Sequence, residues 1–137
     1  MTRPIAIHPA RQYSEGDCGL ASLSMLSGKP YTVVRAAASA LYPDAVNFGS
    51  TRRHLLRIAA SLKYPLKLRD LAKASSEDLD DTTGLLVVSK RAGRGWHAHA
   101  VVLFEGVVID PSDGLVWGID PYLAESGWSL DYVLEPK

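Results

Sequence analysis

Cys18 is the one cysteine of a 137-residue chain, and its neighbours make it a candidate nucleophile. The segment reads Gln12-Tyr13-Ser14-Glu15-Gly16-Asp17-Cys18-Gly19-Leu20-Ala21. Thiolate, not thiol, attacks a carbonyl carbon, and aligned amides in the first turn of a helix favour the charged form. Cys18 falls in such a turn if Asp17 caps the helix. Acyl transfer also needs donors for the developing oxyanion, and the Gln12 amide with the backbone N–H of Cys18 can supply two. Gly19 has no Cβ, so a substrate backbone could approach the sulfur. Alone, a cysteine is more often a small buried apolar residue, and a loop glutamine is more often simply solvated. The pattern gains weight because these features occur together.

A thiol nucleophile needs a base. Of the four histidines, His8 lies in a Pro-flanked segment and reads as exposed, and His54 reads as solvated on the polar side of a helix. His97 and His99 stand on a valine-rich stretch. If Glu105-Gly106 forms a two-residue turn, residues whose numbers sum to 211 face one another, and Asp110 lies opposite Val101. His99 is then the diagonal neighbour of Asp110 on one face, roughly 7–8 Å away by Cα and within side-chain reach. His97 lies one pair farther, beyond direct contact. His99 and Asp110 therefore make the better base and orienter, the carboxylate fixing the tautomer and stabilising the imidazolium. The bland alternative is two polar residues at a strand end, brought near by accident. A one-residue change in the loop would place them on opposite faces.

Helices and strands must hold these residues. A first helix runs from an Asp17 cap through Ser27, with Gly28 as the left-handed residue after its end. Small or apolar residues occupy most of its sides, which marks it as internal. Thr32 caps a second helix through about Leu41, which Pro43 stops. Ser50 or Thr51 opens a third, whose Leu55, Ile58, Ala59 and Leu62 recur at helical spacing opposite Arg53 and Arg57. After Pro65 the period becomes two. Leu66–Leu68 is a short strand and Ser75–Leu79 a helical turn, while Leu85–Ser89, His97–Phe104 and Val107–Asp110 are valine-rich strands. Asp120–Ser126 forms a short helix, and Trp128–Leu134 a closing strand. Helices first and antiparallel strands second is an α+β architecture, with N-terminal helices packed on a C-terminal sheet. No linker interrupts residues 1–137, which read as a single domain.

Gln12, the run Asp17-Cys18-Gly19-Leu20-Ala21-Ser22-Leu23-Ser24-Met25-Leu26-Ser27-Gly28, and His99-Ala100-Val101-Val102 followed by Ile109-Asp110-Pro111 resemble papain-like cysteine peptidases. The resemblance is greatest to the bacteriocin-processing type that trims double-glycine leader peptides. It covers about residues 12–28 and 97–111, and the first motif is the more specific. It implies a papain-like fold, with Cys18 as nucleophile, His99 as base, Asp110 as orienter and Gln12 in the oxyanion hole. The 11-residue step from His99 to Asp110 requires a tight hairpin. The same residues would also serve a glutamine deamidase or an acyl transferase, because all pass through one thioester and differ in the cleft walls. A non-catalytic peptide-binding module with this fold is the third reading.

The resemblance implies a peptide or protein substrate, and composition speaks against other classes of partner. Fifteen basic and fifteen acidic residues leave no basic surplus for nucleic acid or an anionic membrane surface. The N-terminus lacks the apolar stretch of a secretory signal, and the longest apolar run is Ala100–Phe104, so a cytoplasmic setting, or export without a cleaved signal, is expected. One cysteine excludes an intramolecular disulfide. His97, His99 and Asp110 give an incomplete zinc set, so no metal or other cofactor is expected. Glu77, Asp78, Asp80 and Asp81 lack the alternation and central glycine of a calcium loop and read as a solvated turn. Arg91–Trp96 reads as a hairpin loop at the cleft edge, from which Trp96 or Arg94 could touch substrate. Trp117 and Trp128 read as core residues.

Overall fold

In the computed structural model, described over residues 18–43, 52–93 and 95–137, Cys18 begins helix α1 (Cys18–Ser27). Every residue from Gly19 to Leu26 is buried, as expected of a helix without a polar stripe. Gly28 follows at φ 75°, the left-handed conformation that ends it. The second helix, α2 (Tyr31–Leu41), starts one residue before the expected Thr32 cap. Pro30 takes the cap position instead, and its carbonyl accepts from the N–H groups of Val33 and Val34. A proline's fixed φ prepares such a start without a side-chain cap. Helix α3 (Arg52–Ser61) buries Leu55, Ile58 and Ala59 and exposes Arg53 and Arg57. The Asp17, Ser50 and Thr51 caps lie outside the described residues.

Six strands form one antiparallel sheet: β1 (Leu66–Asp70), β2 (Thr83–Ala92), β3 (Gly95–Phe104), β4 (Val107–Ile109), β5 (Val116–Gly118) and β6 (Ser129–Pro136). Their order is β1-β6-β2-β3-β4-β5. A 3-10 turn at Ser76–Leu79 follows β1, and helix α4 (Ile119–Ser126) joins β5 to β6. One face carries Leu85, Val87, Ala100 and Val102 against Leu20, Leu23, Leu55 and Ile58 of the first three helices. The other carries Leu86, Val88, Val101 and Leu103 with Leu79, Ile119 and Tyr122. Burial on both faces explains why β2 and β3 read as apolar runs rather than alternating strands.

The hairpin between β3 and β4 has the expected register, pairing Val102 with Ile109, Leu103 with Val108 and Phe104 with Val107. Glu105 and Gly106 sit at φ 49° and 81°, the positive values that a type I′ turn demands. The β2–β3 hairpin is longer than the sequence suggests. Arg91 pairs with Trp96 and Ala92 with Gly95, so most of the expected Arg91–Trp96 loop is strand. Its polar residues do not oppose strand formation, because this end of the hairpin is solvent-exposed at His97 and Ala98. The three-residue β5 has no sequence signal: Val116 is 57% exposed, and pairing with β4 alone makes it a strand.

Candidate active site

Where β4 stops at Ile109, β3 continues with only β2 beside it. The first residue of α1 meets that open edge. The N–H of Ala100 donates to Cys18 Sγ at 3.3 Å. Asp110 follows the last residue of β4, and its Oδ1 lies 2.7 Å from Nε2 of His99. The chain then folds back on the carboxylate. Ser112 donates to Oδ1 through its N–H at 2.9 Å and its hydroxyl at 2.7 Å. Tyr122, from α4, donates its hydroxyl to Oδ2 at 3.0 Å. Asp110 is only 6% exposed, and these donors are what make a buried carboxylate tolerable.

The charges reinforce one another. Burial opposes a charged His99, but hydrogen bonds to Asp110 and Cys18, with the charges behind them, outweigh it and raise the imidazole from 6.5 to about 9. Burial also works against the Asp110 carboxylate, yet the donors on His99 and Ser112 hold it down at about 2. The pair therefore favours imidazolium and carboxylate together. With Nε2 engaged by Asp110, Nδ1 is the ring nitrogen left for the thiol. Trp128 stacks on the His99 ring at 5.7 Å between centroids and 21° between planes. Lys90 Nζ stands 4.3 Å from the centroid of the same indole.

Solved structures share this architecture from end to end. A double-glycine motif protease from an AMS/PCAT transporter, solved in complex with the leader peptide, matches with a TM-score of 0.64 at 20% identity, covering 100% of this chain and 97% of that one. The peptidase domain of Streptococcus ComA, a bifunctional ABC transporter of a quorum-sensing pathway, matches with a TM-score of 0.60 at 19% identity, over 96% of this chain and 99% of that one. The fold is that of a double-glycine peptidase domain. No family model matches the sequence, and no curated protein does.

Within the double-glycine peptidase fold, Cys18, His99 and Asp110 come together at the open edge of β3. Gln12 lies outside the described residues. Gly19 is buried in α1, and a Cβ there would meet Leu55 Cδ2 at 3.2 Å, so its bare surface lets α3 close on α1. Trp96 is a β3 residue paired with Arg91. His97 is exposed. His54 is not solvated as expected: it is half-buried against Tyr42, with ring centroids 4.1 Å apart, because the end of α2 folds over α3. Trp128 is not only a core residue, since its ring covers the histidine.

Three side chains of the site escape sequence reading: Ser112, Tyr122 and Trp128. Ser112 had a detectable signal, because an aspartate two residues before a serine readily closes an Asx turn. Tyr122 and Trp128 had none, since tertiary packing alone brings them in. Among the described residues, no three His, Cys, Asp or Glu side chains converge as metal ligands would. No helix among them is long and apolar enough to cross a membrane.

Proposed function

We propose that residues 1–137 form a single cysteine peptidase domain that cleaves a peptide bond through Cys18, His99 and Asp110. The observation that carries this reading is that Cys18 Sγ accepts from the backbone N–H of Ala100, the residue after His99, whose ring is held by the buried Asp110 carboxylate. Cys18 attacks the scissile carbonyl carbon. The oxyanion is held by the Cys18 backbone N–H and the Gln12 side-chain amide. His99, as imidazolium, protonates the leaving amine as the C–N bond breaks, leaving a thioester on Cys18. Water then attacks that thioester, His99 takes its proton, and the carboxylic acid departs with the thiolate restored. Asp110 keeps one ring nitrogen occupied so that the other faces the sulfur.

The substrate we infer is an extended peptide with small residues before the scissile bond. The fold match to a protease solved with its leader peptide supports this choice. Trp96 is the residue we assign to substrate contact; Gly19 is not, since it is buried with its bare face against Leu55. The reading places the enzyme in a reducing compartment, since its one cysteine must stay a thiol.

Intact-mass analysis of peptides containing a Gly-Gly pair tests the proposal. Cleavage after the pair, absent in Cys18→Ala, is the expected result. The small mass gain of glutamine deamidation would assign the site to the deamidase reading, and transfer to an added amine would assign it to an acyl transferase. No turnover of any kind would leave a binding module.

A further inference from the structure

We propose that Tyr122 is a positioning residue of this site: its hydroxyl, donated to Asp110 Oδ2, holds the carboxylate in the orientation that presents Oδ1 to His99. The inference rests on the peptidase reading above but concerns a residue that takes no part in the chemistry. The other donors to Asp110, from His99 and Ser112, all fall on Oδ1. Among the described residues, Tyr122 is the donor on Oδ2. Asp χ2 is a broad, soft torsion, and a carboxylate gripped at one oxygen can swing about it. Gripped at both, it cannot. Tyr122 is 4% exposed and Asp110 6%, so no bulk water replaces a missing donor, and an orphaned oxygen there bears the full desolvation cost.

Tyr122 is itself fixed. Its ring packs in the apolar cluster with Val101, Leu103 and Val108, on the sheet face away from α1. Helix α4 is tied to the β3–β4 turn, because the N–H of Ile119, its first residue, donates to the Gly106 carbonyl at 3.0 Å. The turn that sets the His99–Asp110 register and the helix that holds Oδ2 are thus joined directly. The ionisable groups around the hydroxyl are Asp110, Asp113 of the same loop, and Cys18 of α1, with His99 beyond Asp110. Burial, with the negative charge of Asp110, keeps the phenol protonated, so it remains a donor at any working pH.

Tyr122→Phe keeps the ring and deletes only the donor. A fall in kcat of about tenfold with KM unchanged is expected, the rate equivalent of one buried hydrogen bond. NMR titration of the His99 ring gives a second readout that needs no substrate. Its midpoint should move downward from about 9, because a carboxylate free to swing presents Oδ1 less well to the imidazolium it stabilises. In an Asp110→Asn background the same substitution should leave the midpoint unmoved, since Tyr122 acts through that carboxylate. Unchanged kcat and midpoint in Tyr122→Phe, or an equal midpoint shift in both backgrounds, would overturn the assignment. Should Tyr122→Phe not fold, the unmodified protein still decides: a slowly exchanging Tyr122 hydroxyl proton must shift with the His99 titration, and its absence overturns the proposal. An inactive wild type whose His99 midpoint still responds to Tyr122→Phe would sink the peptidase reading and leave this one standing.

Discussion

Nε2 of His99 stands 2.7 Å from Oδ1 of Asp110 across a hairpin closed by two residues, Glu105 and Gly106, both at positive φ. The contact depends on that turn because strand side chains alternate faces. A hairpin of any other length would present the aspartate to a different neighbour.

The turn is therefore the first place to test. Glu105 adopts φ 49°, which asparagine tolerates better than glutamate, so Glu105→Asn should raise stability by about 0.5 kcal/mol and leave activity intact. Gly106→Ala should cost about 1 kcal/mol or more, because φ 81° strains any side chain and its Cβ would lie 3.4 Å from Asp80 Cα. Inserting one glycine between them should abolish turnover while the melting transition survives. Thermal unfolding and peptide cleavage, measured side by side, separate these outcomes.

The two strand histidines differ in kind. His99→Ala should reduce turnover by at least about a hundredfold, the low end of what a positioned general acid–base supplies. His97→Ala should stay within about threefold of wild type, since side-chain truncation at an exposed residue outside the site disturbs little. Steady-state kinetics on one peptide checks both, and equal losses would remove the distinction that strand geometry draws.

Stability should depend on pH in two separate windows. His99 is raised from 6.5 to about 9 on folding, so its contribution is complete below about pH 6.5 and is lost as pH rises through 9. Asp110 is lowered from 3.8 to about 2, so its contribution is present above pH 3.8 and is lost as pH falls through 2. The stability gap between wild type and Asp110→Asn should thus be widest between about pH 4 and 6.5, and should narrow on either side. Urea unfolding across pH measures the gap. A gap that widens above pH 9 would contradict the charge assignment.

Trp128 covers the imidazole and is in turn capped by Lys90. Trp128→Ala should admit water to the His99–Asp110 pair, weaken their attraction, and bring the His99 midpoint down from about 9 toward 6.5. Lys90→Met should have a smaller effect, since a cation–π contact at a partly exposed site is worth about 0.5–1 kcal/mol. NMR titration of His99 in both variants ranks them, and an unmoved midpoint in Trp128→Ala would assign the stack to packing alone.

Much of this architecture was legible before any coordinate. The Cys18–Ser27 helix declared its burial through the lack of a polar stripe, and Gly28 marked its end. The choice of His99 over His97, which shares its face, followed from distance along the hairpin register set by a turn of known length. What stayed hidden depends on distant parts of the chain. Nothing near Tyr122 announces that it reaches back twelve residues to Asp110, and nothing near Trp128 announces a histidine beneath it. His54 looked solvated because the helical period describes α3 alone and not the Tyr42 ring that covers it. Strand β5 was missed for the same reason, since only its pairing with β4 defines it.

Covalent capture with a peptidyl-Gly-Gly vinyl sulfone at neutral pH is the most direct test of the Cys18–His99–Asp110 assembly. The adduct should map to Cys18, form readily in wild type and His97→Ala, and form far more slowly in His99→Ala. Equal labelling rates in wild type and His99→Ala, or an adduct at any other residue, would contradict it.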